Sequence, residues 1–491
     1  MEVLVITLFI LITLIYVYYK NSFQYWDKKG ITTVEPSFPF GNLGSAFFGK
    51  GFVLKFTSLY KELKEEGAKY GGLYAGTTPI FLPIDPEIIK NILCKDFQYF
   101  HSRGSSFDEK KEPLQANLFN FEGKKWKECR IKSTPTFSSG KMKMMFHTVL
   151  DCGKQLEEFL HSCHKQQKPL DIKEIMACFT TDVIGSCAFG VECDSFKNPK
   201  AQFRKYGRKA LTPSFKFQIR RILTMISPFL VKFLRIHFVE KDVVDFFIGV
   251  IRDVVNYRLT KNVTRNDFLQ ILIDTEKEEN STSTIEQLAA QAFVFFIAGF
   301  ETSSTVMTFA LYELAHHQDI QDRLRKEIIE SIQKNGSLTY EGIHEMKYLD
   351  QVVNETIRKY PTLHTFKRLC VEDYKLDNNH ILEKGTKIFI SILGLHRDEE
   401  YFPNPDLFNP ERFSEENKSK ILPYTYLPFG EGPRNCIGLR FGLMQTKVGL
   451  CILLGNYKIF PHHSVKYPIE FDNKAATLAG KGTILLTTEK I

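Results

Sequence analysis

Apolar and polar residues follow three different patterns along the chain. The first is an apolar run over residues 3–19, interrupted only by Thr7, Thr13 and tyrosines. As a helix rising 1.5 Å per residue it spans roughly 25 Å, the thickness of a thin bilayer. Tyr16, Tyr18 and Tyr19 fall where an aromatic belt lies, with Lys20, Lys28 and Lys29 just beyond and Glu2 on the other side. This charge bias puts the N-terminus in the lumen and the rest of the chain in the cytosol. The run ends in Tyr-Val-Tyr-Tyr, without the small residues of a signal-peptide cleavage site. Residues 1–20 therefore read as a single-pass anchor. Residues 21–45, with Pro36, Pro39, Gly41 and Gly44, read as an extended connector, and residues 46–491 as the body.

The second pattern is short apolar runs broken by Gly and Pro, as in "GGLYAGTTPIFLPIDP". It predicts strands within 70–100, again within 370–395, and hairpins in the last thirty residues. The third is helical periodicity, which dominates from about 120 to 370. The fold class expected is mainly α with small β-sheets. One helix stands out. Thr284 with Gln287, or Ser283 with Glu286, can form a capping box at its start, and no proline follows until past His317. Such a helix is roughly 50 Å long and must cross the whole body. At its middle is "FFIAGFETSS", residues 295–304. Gly299 is unfavourable there by about 1 kcal/mol, and Glu301 and Thr302 are polar in an apolar span. Val294, Ile297, Ala298 and Thr302 share one stripe, which points to a lipophilic ligand beside it.

Composition narrows the function classes. Hydrophobic residues make up 43% of the 491, enough for a large core and too many for disorder. The 43 phenylalanines suit an aromatic core first and an apolar pocket second. The net charge of +8 is scattered, which argues against nucleic-acid binding and for a docking face or membrane surface. The stretch 215–238 mixes Phe, Leu and Ile with Lys and Arg, and reads either as a membrane-surface segment or as amphipathic surface helices. Ten cysteines occur without a C-x-x-C, against zinc ribbons and thioredoxin-like chemistry and in keeping with reduced thiols facing the cytosol.

One of those cysteines has an unusual setting. "PFGEGPRNCIG", residues 428–438, places Cys436 among Gly430, Gly432 and Gly438, just before an apolar helical run. A core cysteine needs no such glycines. A nucleophile needs a base, and no histidine is near in sequence. A metal-ligating thiolate accounts for more: glycines let the backbone approach a flat cofactor and aim N–H groups at the sulfur, and a following helix favours its charge.

Phe429-x-x-Gly432-x-Arg434-x-Cys436-x-Gly438 resembles the haem-thiolate signature of the cytochrome P450 monooxygenases. "AGFETS" (298–303) resembles their oxygen-binding central helix, Glu355-Thr356-Ile357-Arg358 their E-x-x-R helix, and "NPERF" (409–413) the segment supplying a partner arginine. The resemblance covers nearly the whole chain and is nearest to microsomal, arthropod members. It implies the cytochrome P450 fold, with the long central helix over haem b. Cys436 would be the iron ligand, with Phe429, Gly430 and Gly438 around it. Thr302 and Glu301 would be the acid–alcohol pair, Ala298 and Gly299 the oxygen niche with a local widening of the helix. Trp126, Arg130, Arg368, Arg434 and Arg103 would serve the haem propionates. Glu355, Arg358 and Arg412 would form a structural triad. Leu363, Phe366, Phe107 and Phe119 join Val294, Ile297 and Ala298 as candidate substrate contacts.

The activity implied is insertion of one oxygen atom of O2 into a lipophilic molecule such as a xenobiotic, plant toxin, insecticide or hormone. NADPH–cytochrome P450 reductase would supply electrons, with cytochrome b5 as a second donor, and Lys124, Lys125, Lys127 and Lys132 would form the docking patch. The location implied is the endoplasmic reticulum membrane, recovered as microsomes. Two other readings stay open: a reductase-independent isomerase or dehydratase, and a non-enzymatic haem carrier or sensor. His364 departs from the family pattern, being polar where that region is often apolar.

Overall fold

The computed structural model describes residues 1–44, 46, 51–105, 107–198, 201–211, 220, 223, 237–265, 267–278, 283–472, 475 and 477–490. Most of the stretch 215–238 falls outside the described residues. The apolar run at the start forms the helix Glu2–Ser22, none of whose residues is buried. It is long and apolar enough to cross a bilayer, and an apolar helix that buries none of its side chains in the body suits lipid.

The segment after it is fastened to the body. Trp26 is fully buried, its indole N–H donating to the Leu73 carbonyl at 3.1 Å. Asn42 clamps the same edge, donating to the Val34 carbonyl and accepting from the Tyr74 N–H at 2.7 Å. Residues 21–44 therefore lie against the sheet as an extra layer.

Among the described residues, nine strands form three small sheets. The largest has the order β1-β2-β7-β4, built from β1 (Tyr70–Ala75), β2 (Thr78–Pro83), β4 (Thr365–Leu369) and β7 (Lys387–Ser391). β1 and β2 are an antiparallel hairpin, β2 runs parallel to β7, and β4 is antiparallel to β7 with Arg368 opposite Ile388. β3 (Leu170–Asp171), β8 (Tyr457–Pro461) and β9 (Leu485–Lys490) make the second sheet, and β5 (Tyr374–Lys375) with β6 (Ile381–Leu382) the third. The C-terminal strand thus pairs with β3 and β8 across long connections, not only with its sequence neighbours.

The central helix, Ile285–His316, has 32 residues. Its capping box is the Thr284–Gln287 one: the Thr284 hydroxyl accepts from the Gln287 N–H and the Gln287 side chain accepts from the Thr284 N–H. Almost everything from Ser303 to Ala315 is buried. One side packs on the helix Ile172–Ile184, the other on the helix Leu439–Asn456. Much of the phenylalanine content is core: Phe189, Phe203, Phe247 and Phe296 interlock with ring centroids 5.1–6.0 Å apart. Such ring pairs add to the gain from burial.

Gly72 leaves the space that Trp26 fills, since a Cβ there would lie 2.2 Å from the indole. Gly72→Ala should displace the ring and destabilise the body by about 1–3 kcal/mol. The chain has two tryptophans, so a red shift in emission together with a lower thermal midpoint checks it. An unchanged spectrum and midpoint would refute the seating.

Candidate active site

The glycines of the cysteine loop are required by space and backbone conformation. Gly430 has φ +69° and Gly432 φ +73°. A Cβ on Gly432 would sit 2.0 Å from the Leu93 carbonyl oxygen, so no other residue fits without moving backbone. The loop closes on itself: the Gly430 N–H donates to Leu427 O, and the Cys436 N–H to Phe429 O at 2.8 Å. Gly438 precedes the helix Leu439–Asn456, and its N–H is directed at the Cys436 sulfur. Burial pushes the thiol pKa up, while that N–H and the Arg130 and Arg103 guanidinia draw it down.

Cys436 opens into a cavity of about 400 Å³ between its loop and the central helix. Phe429, Gly430, Arg434 and Gly438 line the sulfur side. Val294, Ala298, Gly299 and Thr302 line the opposite side, and Leu363, Phe119 and Phe366 line it as well, Phe366 beside Gly430. Ile297 and Phe107 are half-buried and do not line it. Phe137, Phe268, Phe295 and Phe441 also line the cavity, and no sequence signal marks them, because phenylalanines in core and cavity look alike in one chain.

Four arginines come together from four separate segments: Arg103, Arg130, Arg368 and Arg434 all line the cavity. Arg130, one turn after Trp126 on the helix Gly123–Ser133, gives its outer nitrogens to Asn435 at 2.9 and 2.8 Å and so ties that helix to the cysteine loop. Arg103 donates to Phe119 O, and Arg434 to Phe121 O while stacking over Trp126 at 4.4 Å. Burial lowers Arg368 to about 10 and, together with Arg368, lowers Arg434 to about 9. Buried Nε atoms of Arg368 and Arg434 have no hydrogen-bond partner among the described residues, and no Asp or Glu lines the cavity. Crowded, under-bonded cations around a flat cleft fit a ligand that brings carboxylates. With a sulfur on one face, the donor set fits haem.

Thr302 donates its hydroxyl to the Ala298 carbonyl at 2.5 Å, an intrahelical back-bond, and its oxygen still faces the cavity. Glu301 points away from the cavity. Burial raises its carboxyl pKa against the pull of Lys173, Arg204, Arg208 and a hydrogen bond from Thr477. The helix stays α-helical through Gly299, so the expected local widening is not present. Gly299 serves close packing instead: a Cβ would meet Ile184 at 2.6 Å. Its carbonyl accepts from Gln445, which also donates to Ser303, joining the two walls of the cleft.

Behind the loop, Glu355 and Arg358 are both fully buried and bidentate at 2.7 and 2.9 Å. Arg412 completes the triad at 3.5 Å from Glu355. Arg358 also donates to the His396 and Pro405 carbonyls. His396, not singled out by sequence, accepts from the Leu427 N–H through Nε2 and hence donates through Nδ1 to Arg358 O. Its imidazole is therefore neutral, and burial followed by the Arg358 charge holds its pKa at about 3.

Fold and cleft together define a thiolate-ligated haem protein. Residues 36–486 match the sequence model of the family described as Cytochrome P450. The chain is 41% identical to "Probable cytochrome P450 6a20" of Drosophila melanogaster, with all of both chains covered. It is 40% identical to "Cytochrome P450 6j1" of Blattella germanica over 99% of this chain and 98% of that one, and 39% identical to "Cytochrome P450 6a2" of Drosophila melanogaster over 97% of each. The chain belongs to the cytochrome P450 family and is a monooxygenase akin to its insect family 6 members.

A histidine with a depressed folded pKa stabilises fully above its unfolded value near 6.5 and loses that contribution as pH falls toward 3. Wild-type stability should therefore drop by about 1.4 kcal/mol per pH unit from this group below pH 6.5. His396→Gln should flatten that slope in urea unfolding between pH 6.5 and 5. An equal slope in both proteins would count against a neutral buried His396.

Proposed function

We propose that this chain is a membrane-anchored haem-thiolate monooxygenase of the endoplasmic reticulum that oxidises lipophilic small molecules such as xenobiotics, plant toxins, insecticides or hormones. Residues 1–20 anchor it and residues 46–491 carry the catalysis. The observation that supports this most strongly is the Cys436 sulfur facing Thr302 across a cleft lined by four arginines and apolar side chains.

Cys436 would hold the iron of haem b, and Arg103, Arg130, Arg368 and Arg434, with Trp126, its propionates. Bound haem supplies the activation of O2 with electrons from NADPH through the reductase. The chain's own residues do the rest. The Gly438 N–H and the helix start behind it favour the sulfur anion. Phe429 and the apolar walls exclude water. Thr302 Oγ1 accepts or releases a proton at the cavity face, and Glu301, whose burial raises its affinity for protons, resupplies them from the Lys173–Arg204–Arg208 side. Lys124 and Lys127 are exposed on the Trp126 helix and, with Lys125 and Lys132, support docking of an acidic electron donor, the reductase or cytochrome b5. Val294, Ala298, Leu363, Phe366 and Phe119 are the proposed substrate contacts.

Cys436→Ser should abolish the thiolate form of the reduced, carbon-monoxide-bound spectrum and all turnover with reductase and NADPH. A normal spectrum with retained turnover would overturn the reading. Thr302→Ala should keep the spectrum but reduce product formed per NADPH consumed by roughly an order of magnitude, measured with any substrate that gives a binding shift. An unchanged product-to-NADPH ratio would remove Thr302 from proton delivery.

A further inference from the structure

A second cavity, of about 380 Å³, is lined by Met144, His147, Thr148, Ser186, Arg265 and Asp267. It shares no lining residue with the haem cleft, and its size is that of a small-molecule site. Three segments build it: the helix Ser139–Lys165, the π-helical turn Gly185–Phe189, and the chain just before the helix Phe268–Glu278. Single π turns of this kind are frequent at functional sites.

The polar groups of this lining are under-used. Ser186 is only 8% exposed, yet its hydroxyl has no hydrogen-bond partner among the described residues. A buried hydroxyl in that state costs free energy that a ligand can recover. Helical threonines elsewhere in the chain return their hydroxyls to the carbonyl four residues back, as Thr180, Thr181, Thr275 and Thr356 do. Thr148 makes no such bond, and the His147 imidazole makes none within the described residues either.

Asp267 is the one acid of the lining, and it is already neutralised. Arg258 gives its two outer nitrogens to the two carboxylate oxygens at 3.0 and 2.5 Å, and the Gln270 N–H donates at 2.9 Å. Arg265 stands 3.8 Å from Asp267, beyond hydrogen-bond reach, with 41% of its side chain exposed. The lining therefore presents one guanidinium in excess of its carboxylate, beside two spare hydroxyls. A guanidinium fork with hydroxyls around it matches an oxyanion in charge and in donors. A carboxylate offers two oxygens to donors arriving from three segments, and a phosphate monoester offers three. Asp267 leads directly into Phe268, which lines the haem cleft, so a ligand here borders the wall of the active site from outside.

We infer that this cavity binds a phosphate monoester, with Arg265, Ser186 and Thr148 holding the phosphate.

The test titrates ribose 5-phosphate and ribose by calorimetry into the full-length holoenzyme in phosphatidylcholine nanodiscs, in a buffer free of phosphate. Wild type should bind the phosphate at least about tenfold more tightly than the plain sugar. Arg265→Met should remove that difference and Arg265→Lys restore part of it. Ser186→Ala and Thr148→Val should each weaken ribose 5-phosphate binding by a few-fold, and they carry the test if Arg265→Met does not fold. The haem spectrum should stay normal in all four variants. Nanodiscs containing phosphatidic acid separate two sources of the same group: loss of ribose 5-phosphate binding there assigns the site to a lipid phosphate, and unchanged binding assigns it to a soluble one. Equal affinity of wild type for ribose and ribose 5-phosphate would overturn the inference. So would phosphate binding that survives undiminished in the folded Arg265, Ser186 and Thr148 variants.

Discussion

The Glu355–Arg358 ion pair lies where no water reaches it, and its remaining hydrogen bonds determine where the sulfur sits. Arg358 spends its spare donors on the His396 and Pro405 carbonyls. His396 passes the constraint to the Leu427 N–H, and Leu427 O holds Gly430 at the start of the cysteine loop. Each link is buried, so each has few alternatives to its present partner. Removing one member of such a pair leaves an uncompensated charge, at a loss of about 3–5 kcal/mol. The pair therefore acts on the chemistry at a distance, by fixing the loop that carries the thiol.

The cleft is held from both sides. Arg130 grips Asn435, and Gln445 reaches across to Gly299 and Ser303. Gly299 lets the central helix settle against Ile184, so the distance between walls is set by packing and a polar clasp together. Arg103 and Arg434 are lowered first by burial and then by the neighbouring arginines, so the guanidinia gathered here repel one another. A protein that tolerates such crowding stores affinity for anions there.

The long helix, its cap, the anchor and the glycine-rich loop were legible because each follows from local chemistry: apolar period, capping pair, uninterrupted apolar length, dense glycine. The Glu355–Arg358 pair was legible from its spacing and motif. The clustering of Arg103 with Arg368 and Arg434 came only through family resemblance, since nothing local distinguishes a cavity arginine from a surface one. His396 and Gln445 left no trace, because their roles depend on partners in other segments, the Arg358 carbonyl and the Leu427 N–H for one and Gly299 and Ser303 for the other. Gly299 was noticed as a break in helix propensity, and its cause turned out to be a neighbour's side chain. Glu301 and Thr302 are adjacent in sequence, yet a 100° turn per residue sends one into the cavity and the other behind it.

Trp26 shows that the folded body begins before the membrane segment has been left far behind. Its indole is a stopper in the sheet, held by Leu73 and seated on Gly72. Any soluble form of this enzyme made by trimming the N-terminus must accordingly stop short of Phe23, whose carbonyl accepts from the Tyr74 hydroxyl. Cutting further, into the connector, would remove Trp26 and open a space the size of an indole beside Gly72 and Leu73.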